Sequence, residues 1–222
     1  MTITVHHLNN ARSHRVLWLL EELELPYEIV CYLRDPKTML APEALKKVHP
    51  LGKAPVLTDG DVTIAESGAI LEYLIERYGE GRLAPPPGTP ARQAYRFWMH
   101  YAEGSLMPPL LLKLVFRRIA TGAPFLIRPI AKAIARGAET GFIDAQLKTH
   151  GGYCDAALAQ SPWFAGAEFS AADIQMGFPV EVFLARSGLA ARTPHLAGFA
   201  EKICSRPAYQ RAVERGGPLN LS

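Results

Sequence analysis

Cysteine is scarce. The chain has three, Cys31, Cys154 and Cys204, in 222 residues. They are odd in number, far apart and never arranged as C-x-x-C, so neither a disulfide framework nor a cysteine-rich zinc site is implied. No metal is expected. Such cysteine use fits a reducing compartment, and a cytoplasmic location is expected. An excess of one charge is also missing. Lys and Arg number 24 against 21 Asp and Glu, a formal net charge of +3. That falls short of the clustered basic face that nucleic-acid binding needs, so no nucleic-acid partner is expected. No long apolar run exists either. The most apolar stretch, Leu106 to Phe116, holds Pro108, Pro109 and Lys113 and is too short to span a bilayer. The start, Met1-Thr-Ile-Thr-Val-His-His-Leu8, lacks the charged region and apolar stretch of a signal peptide. No repeat of fixed period is present.

What is there begins as alternating structure. Thr2–Leu8 is rich in β-branched residues and predicts a strand. Arg15–Leu25 places Val16, Leu17, Leu20 and Leu23 at helical spacing, with Pro26 as the stop. Tyr27–Leu33 predicts a second strand and Pro42–Val48 a short helix. Pro55–Thr58 and Val62–Ala65 flank Asp59-Gly60-Asp61, a tight-turn signal. From Ser67, the residues Ile70, Leu71, Leu74, Ile75 and Tyr78 mark an amphipathic helix that ends at Gly79.

A breaker-rich stretch, Gly81-Arg-Leu-Ala-Pro-Pro-Pro-Gly-Thr-Pro90, follows and reads as an extended linker. Beyond it everything looks helical. Ala91–Phe116 carries a long apolar face with a break or kink at Pro108-Pro109. Further helices are predicted near 126–138, 142–160, 171–186, 194–205 and 207–215. Ser170-Ala-Ala-Asp173 reads as a capping box with Asp in place of Glu, and Phe169 as its staple. The order βαβ then ββα predicts an α/β thioredoxin-like N-terminal domain, followed by an all-α C-terminal domain. The expected boundaries are 1–80 for the first domain, 81–91 for the linker and 92–222 for the helical domain.

Two motifs carry chemistry. In His49-Pro-Leu-Gly-Lys-Ala-Pro-Val-Leu57, Pro55 sits at the start of a strand, where a missing N–H is tolerated. If Ala54–Pro55 is cis, the main chain of Ala54 is exposed and an extended peptide can pair with it. In Ala65-Glu-Ser-Gly-Ala-Ile70, Ser67 lies at a helix start, where its hydroxyl, free N–H groups and the positive helix end make an anion site. Glu66 beside it accepts from an ammonium. A carboxylate beside an ammonium is an α-amino acid terminus, such as a γ-glutamyl end.

These motifs resemble the glutathione-binding site of the soluble glutathione transferase superfamily. The likeness covers nearly the whole chain and is closest to the fungal Gtt-type transferases and their bacterial relatives. It rests on Arg15-Val-Leu-Trp-Leu-Leu-Glu-Glu-Leu23, Arg34-Asp35, Leu45–Lys53 and Glu66-Ser-Gly68, and in the second part on His100–Pro109 and Phe169–Ile174. The resemblance implies that Ala54, ahead of Pro55, offers its backbone to the cysteinyl unit. It implies that Glu66 and Ser67 hold the γ-glutamyl end and that Lys53 attracts the glycyl carboxylate. It also implies a homodimer, with glutathione as co-substrate.

Such transferases place a Tyr, Ser or Cys between the first strand and first helix, beside the glutathione sulfur. Here that segment is Leu8-Asn-Asn-Ala-Arg-Ser-His14, which has no Tyr or Cys. A hydrogen-bond donor and a helix N-terminus favour thiolate over thiol. Asn10, Ser13 and free backbone N–H groups all remain candidates. Arg15 reads as structural, and Arg12 as a helper through its charge. Tyr101, Ser105 and Met107 are candidates to line the electrophile site. The expected function is conjugation of glutathione to small apolar electrophiles, with hydroperoxide reduction as a secondary activity. The alternative is a non-catalytic glutathione-binding stress or carrier protein. Arg117, Arg118, Arg128, Lys132 and Arg136 flank an apolar run. They allow association with a membrane surface, but basic flanks are more often simply solvated.

Overall fold

A computed structural model describes residues 2–220. β1 (Ile3–Leu8) runs parallel to β2 (Tyr27–Tyr32), with Ile3 opposite Tyr27. α1 (His14–Glu22) makes the crossover between them. β3 (Val56–Asp59) is antiparallel to β1, with Ile3 opposite Asp59, and β4 (Val62–Ala65) is antiparallel to β3. The sheet order is β2-β1-β3-β4. Gly60, at φ +59°, takes the left-handed turn of the hairpin, a conformation glycine adopts without steric cost. Asp59 then ties the hairpin to α3 (Ser67–Tyr78), accepting from the hydroxyls of Tyr73 at 2.8 Å and Tyr78 at 2.5 Å. α2 (Glu43–Lys46) is a single turn. This is the thioredoxin-like arrangement that the order of elements predicts.

The linker is pinned rather than free. Leu83 O accepts from Ala171 N at 2.8 Å, so the chain after α3 rests on the helix that begins at Ala171. α4 (Pro90–Tyr101) opens with Thr89 as its N-cap, whose hydroxyl accepts from Arg92 N, and with Pro90 in the first turn. Next come a π-helical turn at Ala102–Leu106 and α5 (Met107–Gly122). The interruption therefore precedes Pro108-Pro109. Both prolines sit in the first turn of α5, where their missing N–H groups cost little.

A 3₁₀ turn at Phe125–Ile127 leads into α6 (Arg128–Ala138), and a π turn at Glu139–Ile143 leads into α7 (Asp144–Gln160). α8 (Ala171–Arg186), α9 (Pro194–Cys204) and α10 (Pro207–Gly216) complete the helical part. The Ser170–Asp173 capping box forms, and Asp173 Oδ1 also accepts from Phe164 N at 2.8 Å. Phe169, just before the box, lies against Trp18 and Trp163.

The two parts share one core. Every residue of α1 from His14 to Glu21 is buried, because the sheet covers one side and α8 and α10 the other. Trp18 packs edge-on to Tyr209, and a Cβ on Gly177 of α8 would come within 3.0 Å of the Trp18 ring. At the end of α1, Glu22 takes two hydrogen bonds from Arg206 at 2.6 and 2.8 Å. Glu21 accepts from Tyr27, Arg211 and Arg215 at 2.7, 2.7 and 3.0 Å.

Candidate functional site

β1 and β4 run in the same direction, so their C-termini deliver two turns to the same end of the sheet. After β1, Asn9 to Ser13 lead into α1. After β4, Glu66 adopts φ +73°, ψ +120°, a region that a non-glycine residue rarely occupies, and α3 begins at Ser67. Ser67 is buried at the helix N-terminus, where unpaired N–H groups favour an anion. Its Oγ accepts from Arg15 Nη1 at 3.0 Å and from Gln175 Nε2 at 3.4 Å. With both lone pairs used, its hydroxyl proton is left to donate.

Arg15 is the centre of this group. It is 1% exposed and lies over the Phe178 ring at 5.3 Å. Nη1 also donates to Glu103 Oε1 at 2.6 Å, and Arg12 Nε lies 2.9 Å from Glu103 Oε2. Glu103 comes from the π turn of the helical part, so one carboxylate holds two guanidiniums across the junction. Burial lowers the basicity of Arg15, and the charge of Glu103 opposes that shift. Arg15 Nε and Nη2 and Gln175 Oε1 are buried with no partner among the described residues. Unsatisfied donors and an acceptor beside a helix N-terminus are what a zwitterionic ligand would satisfy. Further out, Arg34 donates to Asn9 O and Met39 O. Its basicity is lowered by burial and then by the charges of Arg118 and Arg12.

The chain is similar to known proteins. A family model described as "Glutathione S-transferase, N-terminal domain" matches residues 11–77. "Glutathione S-transferase 3" of Schizosaccharomyces pombe is 36% identical over 96% of this chain and 87% of its own length. GstB of Escherichia coli is 33% identical over 95% of this chain and 97% of its own. The crystal structure of a glutathione S-transferase from Actinobacillus pleuropneumoniae superposes with a TM-score of 0.84 at 35% identity, covering 99% and 95% of the two chains. The chain belongs to the glutathione S-transferase family. A sphingomonad family member solved with glutathione is 26% identical, with a TM-score of 0.73 over 96% of this chain and 98% of that one.

In this transferase the Ala54–Pro55 bond is cis, with Ala54 half-buried, Pro55 buried and Lys53 and Glu66 exposed. Asn10 sits at φ +52°, and its Oδ1 accepts from Asn220 N at 2.7 Å. Ser13 differs from the expectation. It is 0% exposed, with Oγ 2.9 Å from His7 Nδ1 and 3.3 Å from both Leu8 N and Leu8 O. Its hydroxyl is spent inside the domain, bracing β1 against α1, and does not face the cleft. The three expected electrophile residues do not share one face. Met107 belongs to the core, while Tyr101 is 2.5 Å from His150 Nδ1 through its hydroxyl. Tyr101 and Ser105 line an open cavity of about 480 Å³ together with Phe97 and His100. The π turn moves residues after 102 around the helix and breaks the regular spacing.

Sequence reasoning missed Glu103 and Gln175 and assigned Arg15 to structure alone. A signal for Glu103 existed: it is the sole Asp or Glu between Glu80 and Glu139. Among the described residues no helix is long and apolar enough to cross a membrane.

Proposed function

We propose that this transferase conjugates the thiolate of glutathione to small apolar electrophiles. The observation that carries the reading is the buried Arg15–Ser67–Gln175 group at the N-terminus of α3. The γ-glutamyl carboxylate takes the Ser67 proton and the first N–H groups of α3, with the Arg15 charge behind them. Glu66 takes the ammonium. Ala54 pairs its main chain with the cysteinyl unit, and Lys53 and Arg34 face the glycyl carboxylate. The sulfur then lies at the start of α1, beside the Asn10 amide. A donor and a helix N-terminus stabilise S⁻ over SH there. The thiolate displaces a leaving group from the electrophile, or adds to it, and holding the two together supplies much of the rate. Leu111 and Val115, exposed and four residues apart on α5, offer the electrophile an apolar wall. The same thiolate would reduce a hydroperoxide to an alcohol and water, two glutathiones leaving as the disulfide.

Ultraviolet titration of bound glutathione tests the central step. The wild-type complex should be largely thiolate near neutral pH, and Asn10→Ala should raise its apparent pKa while Ser13→Ala leaves it unchanged. Titration of the wild-type complex at the value of free glutathione would leave a non-catalytic glutathione-binding protein as the better reading. Ser67→Ala should weaken glutathione binding by roughly 1–3 kcal/mol in calorimetry, the cost of one charge-assisted hydrogen bond.

The assembly we propose is a two-fold dimer. Phe97 and Tyr153 support it: both are half-exposed, with ring centroids 6.0 Å apart, and they offer an aromatic face to a second copy. Light scattering should give twice the 24.4 kDa chain mass.

A further inference from the structure

The turn between β1 and α1 is held from two sides. On one side Arg34 N donates to Asn9 Oδ1 at 2.9 Å, and Arg34 Nε donates to Asn9 O at 3.2 Å. On the other side lies the segment that follows α10. Asn220 N donates to Asn10 Oδ1 at 2.7 Å, across 210 positions of sequence.

Fixed contacts deliver the segment there. His7 Nε2 lies 2.9 Å from Gly216 O, at the end of α10. A carbonyl only accepts, so this ring nitrogen carries the proton. Arg215 Nη2 donates to Tyr27 O at 3.0 Å. A Cβ on Gly216 would clash with Leu17 Cδ1, so the helix end sits directly against α1. Gly217, at φ +84°, then turns the chain, and Leu219 packs on the core.

An amide side chain has one accepting oxygen and an NH2 that donates. A backbone N–H only donates, so Asn220 selects the oxygen and decides which way round the Asn10 amide stands. Among the described residues nothing else forms a hydrogen bond with the Asn10 side chain. Its NH2 therefore diverges from the segment with both hydrogens left to give. A sulfur anion gains from a donor and loses from a carbonyl oxygen, so the orientation matters to a reaction that makes S⁻.

We propose that the backbone N–H of Asn220 is a positioning group for the transfer reaction: it holds the Asn10 oxygen so that the NH2 faces the glutathione sulfur. This role rests on the proposed placement of the sulfur beside Asn10. Asn220 acts through Asn10 and takes no part in bond making.

Two substitutions at one position test it. Asn220→Pro removes the N–H, and Asn220→Ala keeps it. Asn220 is exposed and lies outside every helix and strand, so both variants should fold. In ultraviolet titration of bound glutathione, Asn220→Pro should raise the apparent pKa of the thiol by roughly half to one pH unit, part of the worth of a hydrogen bond to a charged group. Asn220→Ala should leave it unmoved. Affinity for S-methylglutathione, which has no thiol to ionise, should stay at the wild-type value in both. Adding Asn220→Pro to Asn10→Ala should raise the pKa no further. A wild-type titration in Asn220→Pro, with Asn10→Ala still shifted, overturns the positioning role and leaves Asn10 in place. No shift in Asn10→Ala overturns the reading of Asn10 and the positioning role with it. An equal shift in Asn220→Ala, a further shift in the double variant, or lost affinity for S-methylglutathione in Asn220→Pro also overturns the proposal, because the N–H would then not be acting through the Asn10 amide.

Discussion

At the π turn between α4 and α5, Glu103 holds Arg12 and Arg15 beside the N-terminus of α3. Around the α5–α6 tip and along α6, Arg117, Arg118, Arg128, Lys132 and Arg136 have no acidic partner among the described residues. Between Glu80 and Glu139 the sequence holds a single carboxylate, Glu103, and it meets the enclosed arginines. Where the cation is enclosed, its charge must be met by protein and it becomes part of a binding site. Where it stands in water, solvent meets the charge, and the side chain is free for an external partner. Burial, not residue type, decides which role an arginine takes.

The largest effect expected from breaking this contrast is at Glu103. Glu103→Ala leaves Arg15, at 1% exposure, with a hydroxyl and no carboxylate. Removing one partner of a buried pair should cost roughly 3 kcal/mol in denaturant unfolding, and Glu103→Gln less, since an acceptor remains. Glutathione affinity should fall in parallel, because Arg15 then loses its fixed place beside Ser67.

A second variant sharpens the picture from the other side of Arg15. Glu181, on α8, accepts from the Tyr209 hydroxyl. Burial raises its pKa to about 7, against the opposing Tyr209 bond and Arg15 charge. A raised acid pKa means that the folded state binds more protons than the unfolded state between about 4.5 and 7, so this group's contribution to stability falls as pH rises through that window. His14 has the opposite sign. Burial, and then the charge of His7, lower its pKa to about 4, so acidification below 6.5 costs stability. Glu181→Gln removes only the first effect. Its stability relative to wild type should rise by on the order of 1 kcal/mol between pH 5 and 8, read from denaturant midpoints. An unchanged difference across that range would mean that Glu181 titrates as it does in water.

The smallest effect belongs to the tip. Arg128→Ala and Lys132→Ala should each change stability by no more than about 0.5 kcal/mol. If either costs as much as Glu103→Ala, the tip is held by contacts within the fold, and the contrast between the π turn and the tip fails.

Local signals read well from sequence. The Asp59-Gly60-Asp61 turn, the helix from Ser67 and the Ser170–Asp173 box depend on residues within a few positions of one another, and they appear where the pattern puts them. The π turn at Ala102–Leu106 had no such signal, because its residues suit an α-helix equally well. Pro108-Pro109 drew the break forward by a few residues, since a proline's position in a helix cannot be known before the helix start is. The place of Ser67 at the start of a helix was legible, whereas the position of Arg15 beside it was not. Its partner Glu103 is 88 positions away, and only the packed structure brings the two together. Ser13 carried the hydroxyl expected near a thiol. Whether that hydroxyl faces the cleft or the core depends on a rotation about the start of α1 that composition does not encode.

The enclosure of α1 bears on how such a chain can be divided. A cut in the proline-rich linker looks natural on paper, yet it would strip α8 and α10 from a helix with no face suited to water. Trp18 would lose Tyr209, and Glu21 and Glu22 would lose three arginines supplied by the last third of the sequence. A fragment ending near Glu80 should therefore aggregate rather than serve as a portable glutathione-binding module. Recombination between relatives should succeed only when α1, α8 and α10 are inherited together.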